Sequence, residues 1–265
     1  MKMIMTTMAR ANSERLPGKN TRMFCGKPLL EWTLLCGHLA ESITDIYATV
    51  DSIELARIVE KYGTPIFQPE KSTHFGMWGG PVADGYLFSY FIKHGLKLGH
   101  RMTSLPTAPL KRPCDFDNAT RAYEELIKLH GGYDLELVDQ APMGNVSISI
   151  DAGNFVIKQT VSAHKDKLLY HPGALGVQDM EWWIKKYGYA DYIFEDYEKG
   201  IIKKEIDDGT ADLSVIDIAK HCWVSDVVYY YQMPVWAARD IDDIYEWEYC
   251  EWAFEKYILN EGYYG

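Results

Sequence analysis

The sequence predicts an α/β domain: a Rossmann-like, mostly parallel sheet with helices on both faces. Three observations carry this. Apolar, strand-like runs alternate with helical runs of 3.6-residue period. The connections between them are short over most of the first 140 residues. The chain has 265 residues, 47% of them hydrophobic and 25% charged, enough for one sizeable core and without a low-complexity stretch.

Residues 2–8 read as an apolar first strand, followed by a long loop over 9–27. Residues 28–41 form a helix with Pro28 near its first turn, where a missing N–H costs nothing. Residues 45–50 are the second strand. A helix follows over 52–63, with Ser52 as N-cap and Gly63 as its stop. Residues 64–68 are a short strand. A Gly-rich loop leads to a helix near 84–94, and residues 102–110 are a strand running into a turn. A helix covers 114–132 with a Gly stop, and "DLELVD" is a strand. "NVSISIDAGNFVIKQTV" alternates like a hairpin. "DMEWWIKKYG" reads as a short helix and "SDVVYYYQMPVWA" as a strand. Residues 242–259 are a last helix with an apolar stripe of Ile244, Trp247, Cys250, Phe254 and Ile258. The whole chain, 1–265, is read as one domain, with 140–225 as a possible inserted subdomain for sugar binding or dimer formation. Trp182-Trp183 and Tyr229-Tyr230-Tyr231 read as packing residues rather than base-stacking ones.

The net charge is −11. A duplex nucleic-acid binder carries a basic face, so no nucleic-acid partner is expected. No apolar run reaches about 18 residues, so no membrane segment is expected. Five cysteines without a CxxC pair point to reduced thiols and a cytoplasmic protein.

Against this acidic background the first 30 residues hold Lys2, Arg10, Arg15, Lys19, Arg22 and Lys27, with Glu14 as the sole acid. A charge cluster alone is most often a solvated loop. Its place between a buried strand and a helix of a parallel sheet is, however, where phosphates bind. It is not a Walker loop, because Ser13 and Asn20 break that pattern, and no Gly-x-Gly-x-x-Gly run is present. At the other end, Asp240, Asp242, Asp243, Glu246, Glu248 and Glu251 form an acidic run. A helix N-terminus explains Asp242, Asp243 and Glu246. Asp240 precedes the helix, and an Asp-x-Asp pair in extended chain puts two carboxylates on one side, a donor set that suits Mg²⁺.

The loop reads Ala9, Arg10, Ser13, Pro17, Lys19, Asn20, then Gly26-Lys27-Pro28-Leu29. This resembles the N-terminal motif of the CMP-sialic acid synthetases, the N-acylneuraminate cytidylyltransferase family that makes CMP-nonulosonates. "TVDSIELARIVEKYG", "LPTAPLKRPCDFDNA" and "RDIDDIYEWEYCE" resemble further blocks of that family in the same order. "YHPGALGV" resembles its segment beside the sugar pocket. The resemblance implies a nucleotidyltransferase-type fold and transfer of CMP from CTP to an acidic sugar, a nonulosonic acid such as a sialic acid, with release of pyrophosphate. It implies CTP contacts from Ala9, Arg10, Ser13, Arg15, Lys19 and Asn20, the last reading the cytosine edge. Lys19 and Arg10 would neutralise the triphosphate, Asp240 and Asp242 would hold a catalytic Mg²⁺, and a homodimer is expected. Leu105, Ala108 and Lys111 stand where the family has Gln, Ser and Arg, changes on the sugar side. A second reading keeps nucleotide binding without sugar chemistry, as a sensor or assembly protein; a third keeps cytidylyl transfer to a different sugar.

Overall fold

A computed structural model describes residues 1–13, 15–68, 79–97, 99–142, 147–152, 155–160, 169–170, 173–182, 228–237 and 239–264. Strand β1 (Met3–Ala9) is followed by a small clasp of β2 (Met23–Phe24) and β3 (Lys27–Pro28), then helix α1 (Leu29–Leu39). Next come β4 (Ile43–Val50), α2 (Ile53–Val59), β5 (Thr64–Phe67), α3 (Gly79–Lys93) and β6 (His100–Thr103). Helix α4 (Pro113–His130) leads to β7 (Glu136–Pro142), the hairpin β8 (Ser147–Ala152) and β9 (Phe155–Thr160), β10 (Leu169–Tyr170) and β11 (Gly176–Asp179). Strand β12 (Val228–Gln232), a 3₁₀ turn at Val235–Ala237 and α5 (Ile244–Phe254) complete the described elements; α5 loosens into a π turn over Glu255–Leu259.

The main sheet runs β10-β7-β11-β6-β1-β4-β5, with β12 beside β7. Pairings β6–β1, β1–β4 and β4–β5 are parallel, as is β12–β7. Strand β11 is antiparallel to both its neighbours. The α/β class with its mostly parallel sheet is therefore the fold.

Alternation along β1 shows why both faces are covered. Met3 and Met5 enter a large core with α1, α2, α4 and α5, while Ile4 packs on a second cluster with Leu87, Phe88 and Phe91 of α3. A strand buried on both faces reads as a near-continuous apolar run, which β1 does apart from the buried Thr6 and Thr7. In the large core Phe24 meets Trp247 and Phe254 edge-on, both at 5.3 Å, so the clasp is packed against α5.

Several details differ from expectation. Ser52 does cap α2, its hydroxyl accepting from Leu55 N, but the helix ends earlier and Gly63 is not its left-handed stop. Gly63 is needed for close approach instead: a Cβ there would lie 2.2 Å from the Ile46 carbonyl oxygen. Helix α3 begins at Gly79, inside the stretch read as loop. The strand expected over 102–110 sits upstream, in the polar run His100–Thr103. Arg101 is tolerated there, 2% exposed, because Asp84 of α3 receives its guanidinium in a bidentate pair at 2.6 and 2.8 Å. Ile244 is 37% exposed, so the stripe of α5 holds only from Trp247 onward. Gly131 ends α4 with φ 80°, as read. Within 140–225, β8 and β9 pair as a hairpin, whereas β11 belongs to the main sheet and was missed. The helix read at 179–188 starts at 180; its later residues and Trp183 lie outside the described residues. Tyr229 and Tyr231 pack on the large core, and Tyr230 faces out.

Candidate active site

The loop after β1 is held at several points. Ala11 N donates to Asp51 Oδ1 at the end of β4, 2.8 Å away. Asn20 Nδ2 donates to the Arg10 carbonyl at 2.9 Å, closing the loop across its base. Leu29 N and Leu30 N donate to the carbonyls of Arg22 and Asn20, which fastens the loop exit to α1. Leu16 is buried beneath it. A loop fixed by backbone, side-chain and apolar contacts is not a solvated strap.

Lys19 follows from this. Its side chain is 8% exposed, donates to the Ile241 carbonyl, and lies 3.6 Å from Asp242 Oδ1. Burial holds its pKa below the usual lysine value, and the nearby Asp240 and Asp242 oppose that shift. Arg15 is exposed and reaches Asp242 Oδ2 at 2.5 Å.

The segment before α5 supplies the acids. Ile241 N donates to the Thr107 carbonyl at 2.7 Å, so Asp240 and Asp242 flank a backbone tie to the loop after β6. The helix-cap role falls to Asp243, whose carboxylate accepts from Glu246 N at 2.9 Å. Asp242 is thereby released from capping, and its carboxylate faces Lys19 and Arg15. Burial raises the Asp240 pKa, while a hydrogen bond from Thr107 lowers it. Asp240 Oδ1 is buried without a hydrogen-bond partner among the described residues.

The loop after β6 forms the facing wall. Leu105 N donates to the Gly173 carbonyl at 3.0 Å, and Ser104 Oγ to the Ala174 carbonyl at 2.6 Å. Lys111, 1% exposed, donates to the Leu105 carbonyl at 2.6 Å from below; burial lowers its pKa to about 8. Asp139, fully buried, accepts from the amides of Ala174 and Leu175.

Ala9, Arg10, Ser13, Arg15, Lys19, Asn20, Asp240 and Asp242 thus line one cleft, at the carboxyl ends of β1 and β6. Met8, Gln68, Leu105, Pro106 and Thr107 complete its walls. Gln68 and Thr107 were not singled out from sequence. Each lies just past a strand's carboxyl end, the edge where such sheets bind ligands, and that rule points to both. Asn20 gives one amide N–H to the Arg10 carbonyl, and its buried Oδ1 has no partner among the described residues.

Among the described residues no three His, Cys, Asp or Glu side chains converge as a complete metal cage. Two carboxylates, one with an unpartnered buried oxygen, still fit Mg²⁺, which takes few protein ligands and completes its shell with substrate phosphates and water. No described helix is long and apolar enough to cross a membrane. Cys25, Cys36, Cys114 and Cys250 are free thiols.

The fold is shared with solved structures of known proteins. The chain superposes over 97% of its length on a CMP:2-keto-3-deoxy-manno-octonic acid synthetase complexed with CTP, covering 99% of it, with TM-score 0.60 and 14% identity. It superposes over 96% on 4-diphosphocytidyl-2C-methyl-D-erythritol synthase of Anaerococcus prevotii, covering 97% of that chain, with TM-score 0.56 and 13% identity. At these identities the likeness is one of fold.

Sequence narrows the class. The model of the cytidylyltransferase family matches residues 5–76. A stretch of 66 residues is 36% identical to the CMP-N,N'-diacetyllegionaminic acid synthase of Legionella pneumophila, covering 25% of this chain and 28% of that protein. The chain thus aligns with little more than a quarter of this relative's length. The family-model match lies in the amino-terminal part of the chain, which contains the basic loop.

Proposed function

We propose that the protein is a CTP-dependent cytidylyltransferase that transfers CMP to an acidic sugar, a nonulosonic acid, and releases pyrophosphate. The observation that carries this is the meeting of a buried Lys19 with the Asp240–Asp242 pair across one cleft, at the carboxyl edge of a parallel sheet. The family match over 5–76 and the legionaminic acid relative support the nucleotide and the sugar class respectively.

In the reaction a sugar hydroxyl attacks the α-phosphorus of CTP, the bond to the bridging oxygen breaks, the hydroxyl proton is lost and pyrophosphate leaves in line. Two anions must be brought together, so the work is positioning and charge neutralisation. Arg10 and Arg15 draw the triphosphate to the loop. Lys19, desolvated and held by the Ile241 carbonyl, offers a fixed positive charge to the negative charge that grows on the α-phosphate. Mg²⁺ held by Asp240 and Asp242 would polarise the phosphoryl oxygens. Thr107 and the Ile241–Thr107 backbone bond keep Asp240 in register with the loop. Leu105, in the family's Gln place, gives the acceptor wall an apolar patch.

The test is pyrophosphate release from CTP, Mg²⁺ and a panel of acidic sugars, including sialic and legionaminic acids. Release that depends on one sugar class supports the reading. CTP binding with no release for any acceptor would favour the sensor or assembly reading.

A further inference from the structure

We propose that Tyr264 is a positioning residue for the acceptor: through Lys111 it holds the cleft wall formed by Leu105, Pro106 and Thr107. This rests on the cytidylyl-transfer reading above and adds to it a residue that lies outside the cleft lining.

Tyr264 lies after the π turn that follows α5. Its ring packs against Trp32 at 5.1 Å and Phe254 at 5.7 Å, and its hydroxyl donates to the Lys111 carbonyl at 3.1 Å. Burial pushes the phenol well above the usual tyrosine range, so it stays protonated and remains a donor. Beside it, the Tyr263 ring lies 5.3 Å from the Arg112 guanidinium carbon, and its hydroxyl accepts from Arg112 Nη1 at 3.4 Å. Tyr263 and Tyr264 thus fasten Arg112 and Lys111, at the end of the loop between β6 and α4.

Lys111 carries the contact back to the cleft. It is 1% exposed; its carbonyl is taken by Tyr264, and its Nζ donates to the Leu105 carbonyl at 2.6 Å. That carbonyl also accepts from Ala108 N at 3.3 Å, and Leu105 N donates to the Gly173 carbonyl at 3.0 Å. Residues 105–111 are therefore clamped at both ends. They bring Leu105, Pro106 and Thr107 to the cleft and meet Ile241 N through the Thr107 carbonyl. The basic loop after β1 is fastened elsewhere, to Asp51 and to α1. Removing the phenol O–H leaves the Lys111 carbonyl without a donor in a buried residue, a costly state that the peptide relieves by turning toward water. That turn pulls the lysine strut off Leu105. The acceptor wall shifts while the triphosphate loop keeps its place.

The test is steady-state kinetics by pyrophosphate release, with CTP calorimetry and amide exchange, on the full chain. Tyr264→Phe keeps the ring and loses only the donor. Its kcat/KM for the acceptor sugar should fall about tenfold, inside the roughly hundredfold that a misplacement of about 1 Å can cost, with CTP affinity within about twofold of wild type. Amides of 105–111 should exchange faster, and those of 15–22 as in wild type. Tyr264→4-aminophenylalanine returns an N–H donor to the same ring position and should restore the acceptor kcat/KM. Ile58→Val, on α2 in the same core, should lower the melting temperature without changing the acceptor kcat/KM. Wild-type kinetics in Tyr264→Phe overturn the inference. So do faster exchange without a kinetic change, an equal loss for CTP and acceptor, or no rescue by the amine. A wild type that releases no pyrophosphate with any acidic sugar overturns the cytidylyl-transfer reading itself, and the acceptor role with it. Should Tyr264→Phe fail to fold, Lys111→Met cuts the same path: an unchanged acceptor kcat/KM there sinks the proposal.

Discussion

Lys19 Nζ lies 3.6 Å from Asp242 Oδ1 while donating to the neighbouring Ile241 carbonyl, so the basic loop and the acidic segment are one unit. Removing the ammonium tests its part in catalysis. Lys19→Met keeps most of the buried stem and removes the charge. We expect turnover to fall by about 10²–10³, the scale of a lost transition-state donor, with a smaller loss of CTP affinity. Lys19→Arg should rescue poorly, because a planar fork does not fit a site built for a compact cation. Wild-type turnover in Lys19→Met, measured by pyrophosphate release, would remove the loop from the chemistry.

Asp240 separates activity from stability. Its folded pKa is raised above the ordinary aspartate value, chiefly by burial. An acid with a raised folded pKa binds more protons folded than unfolded, so it takes stability away as pH rises from its unfolded value through the folded one. At neutral pH Asp240→Asn should be at least as stable as wild type in thermal melts, yet lose Mg²⁺-dependent turnover. Asp242→Asn should lose turnover too. If both variants keep near-normal rates, the carboxylates serve only the local fold.

Lys111 carries a pH signature. Its folded pKa is lowered to about 8, against about 10.4 for a free lysine. Between these values the unfolded chain binds more protons, so this group adds stability as pH rises from 8. The difference in urea midpoint between wild type and Lys111→Met should therefore shift in favour of wild type from pH 8 to 9.5. A difference that stays flat over that range would show that Lys111 titrates normally.

Gly173 has φ 78°, and a Cβ on it would lie 2.7 Å from Leu105 Cδ1. Gly173→Ala adds strain to overpacking and should cost about 1–3 kcal/mol in urea unfolding. Gly176→Ala is the control: φ is ordinary there and nothing lies within 4 Å. Equal effects from the two would refute the close approach.

Much of this was legible in the sequence. The parallel half of the sheet follows from continuous apolar runs between helical ones, and the resemblance to the family motif grouped Arg10, Lys19 and Asn20. What periodicity could not give is long-range pairing. Strand β11 is four residues of mixed character whose partners come from β6 and β7, and β6 hides behind its own Arg101. Nor does any local pattern tell that Asp243, rather than Asp242, takes the cap, or that Gln68 ends with an unpaired oxygen. Those are outcomes of packing. Gly63 was read as a helix stop because the sequence shows a missing side chain but not the strand that passes 2.2 Å from where it would be.

The bond between Lys19 and the Ile241 carbonyl also sets a timetable. On the ribosome the basic loop emerges early and has no partner to hold its lysine until the segment around Asp240 has been made and has cleared the tunnel. Nascent chains stalled short of it carry Arg10 and Lys19 without the carboxylates opposite them. On the proposed mechanism such a polypeptide would be inert for transfer, and a truncated copy in the cell would not spend nucleotide.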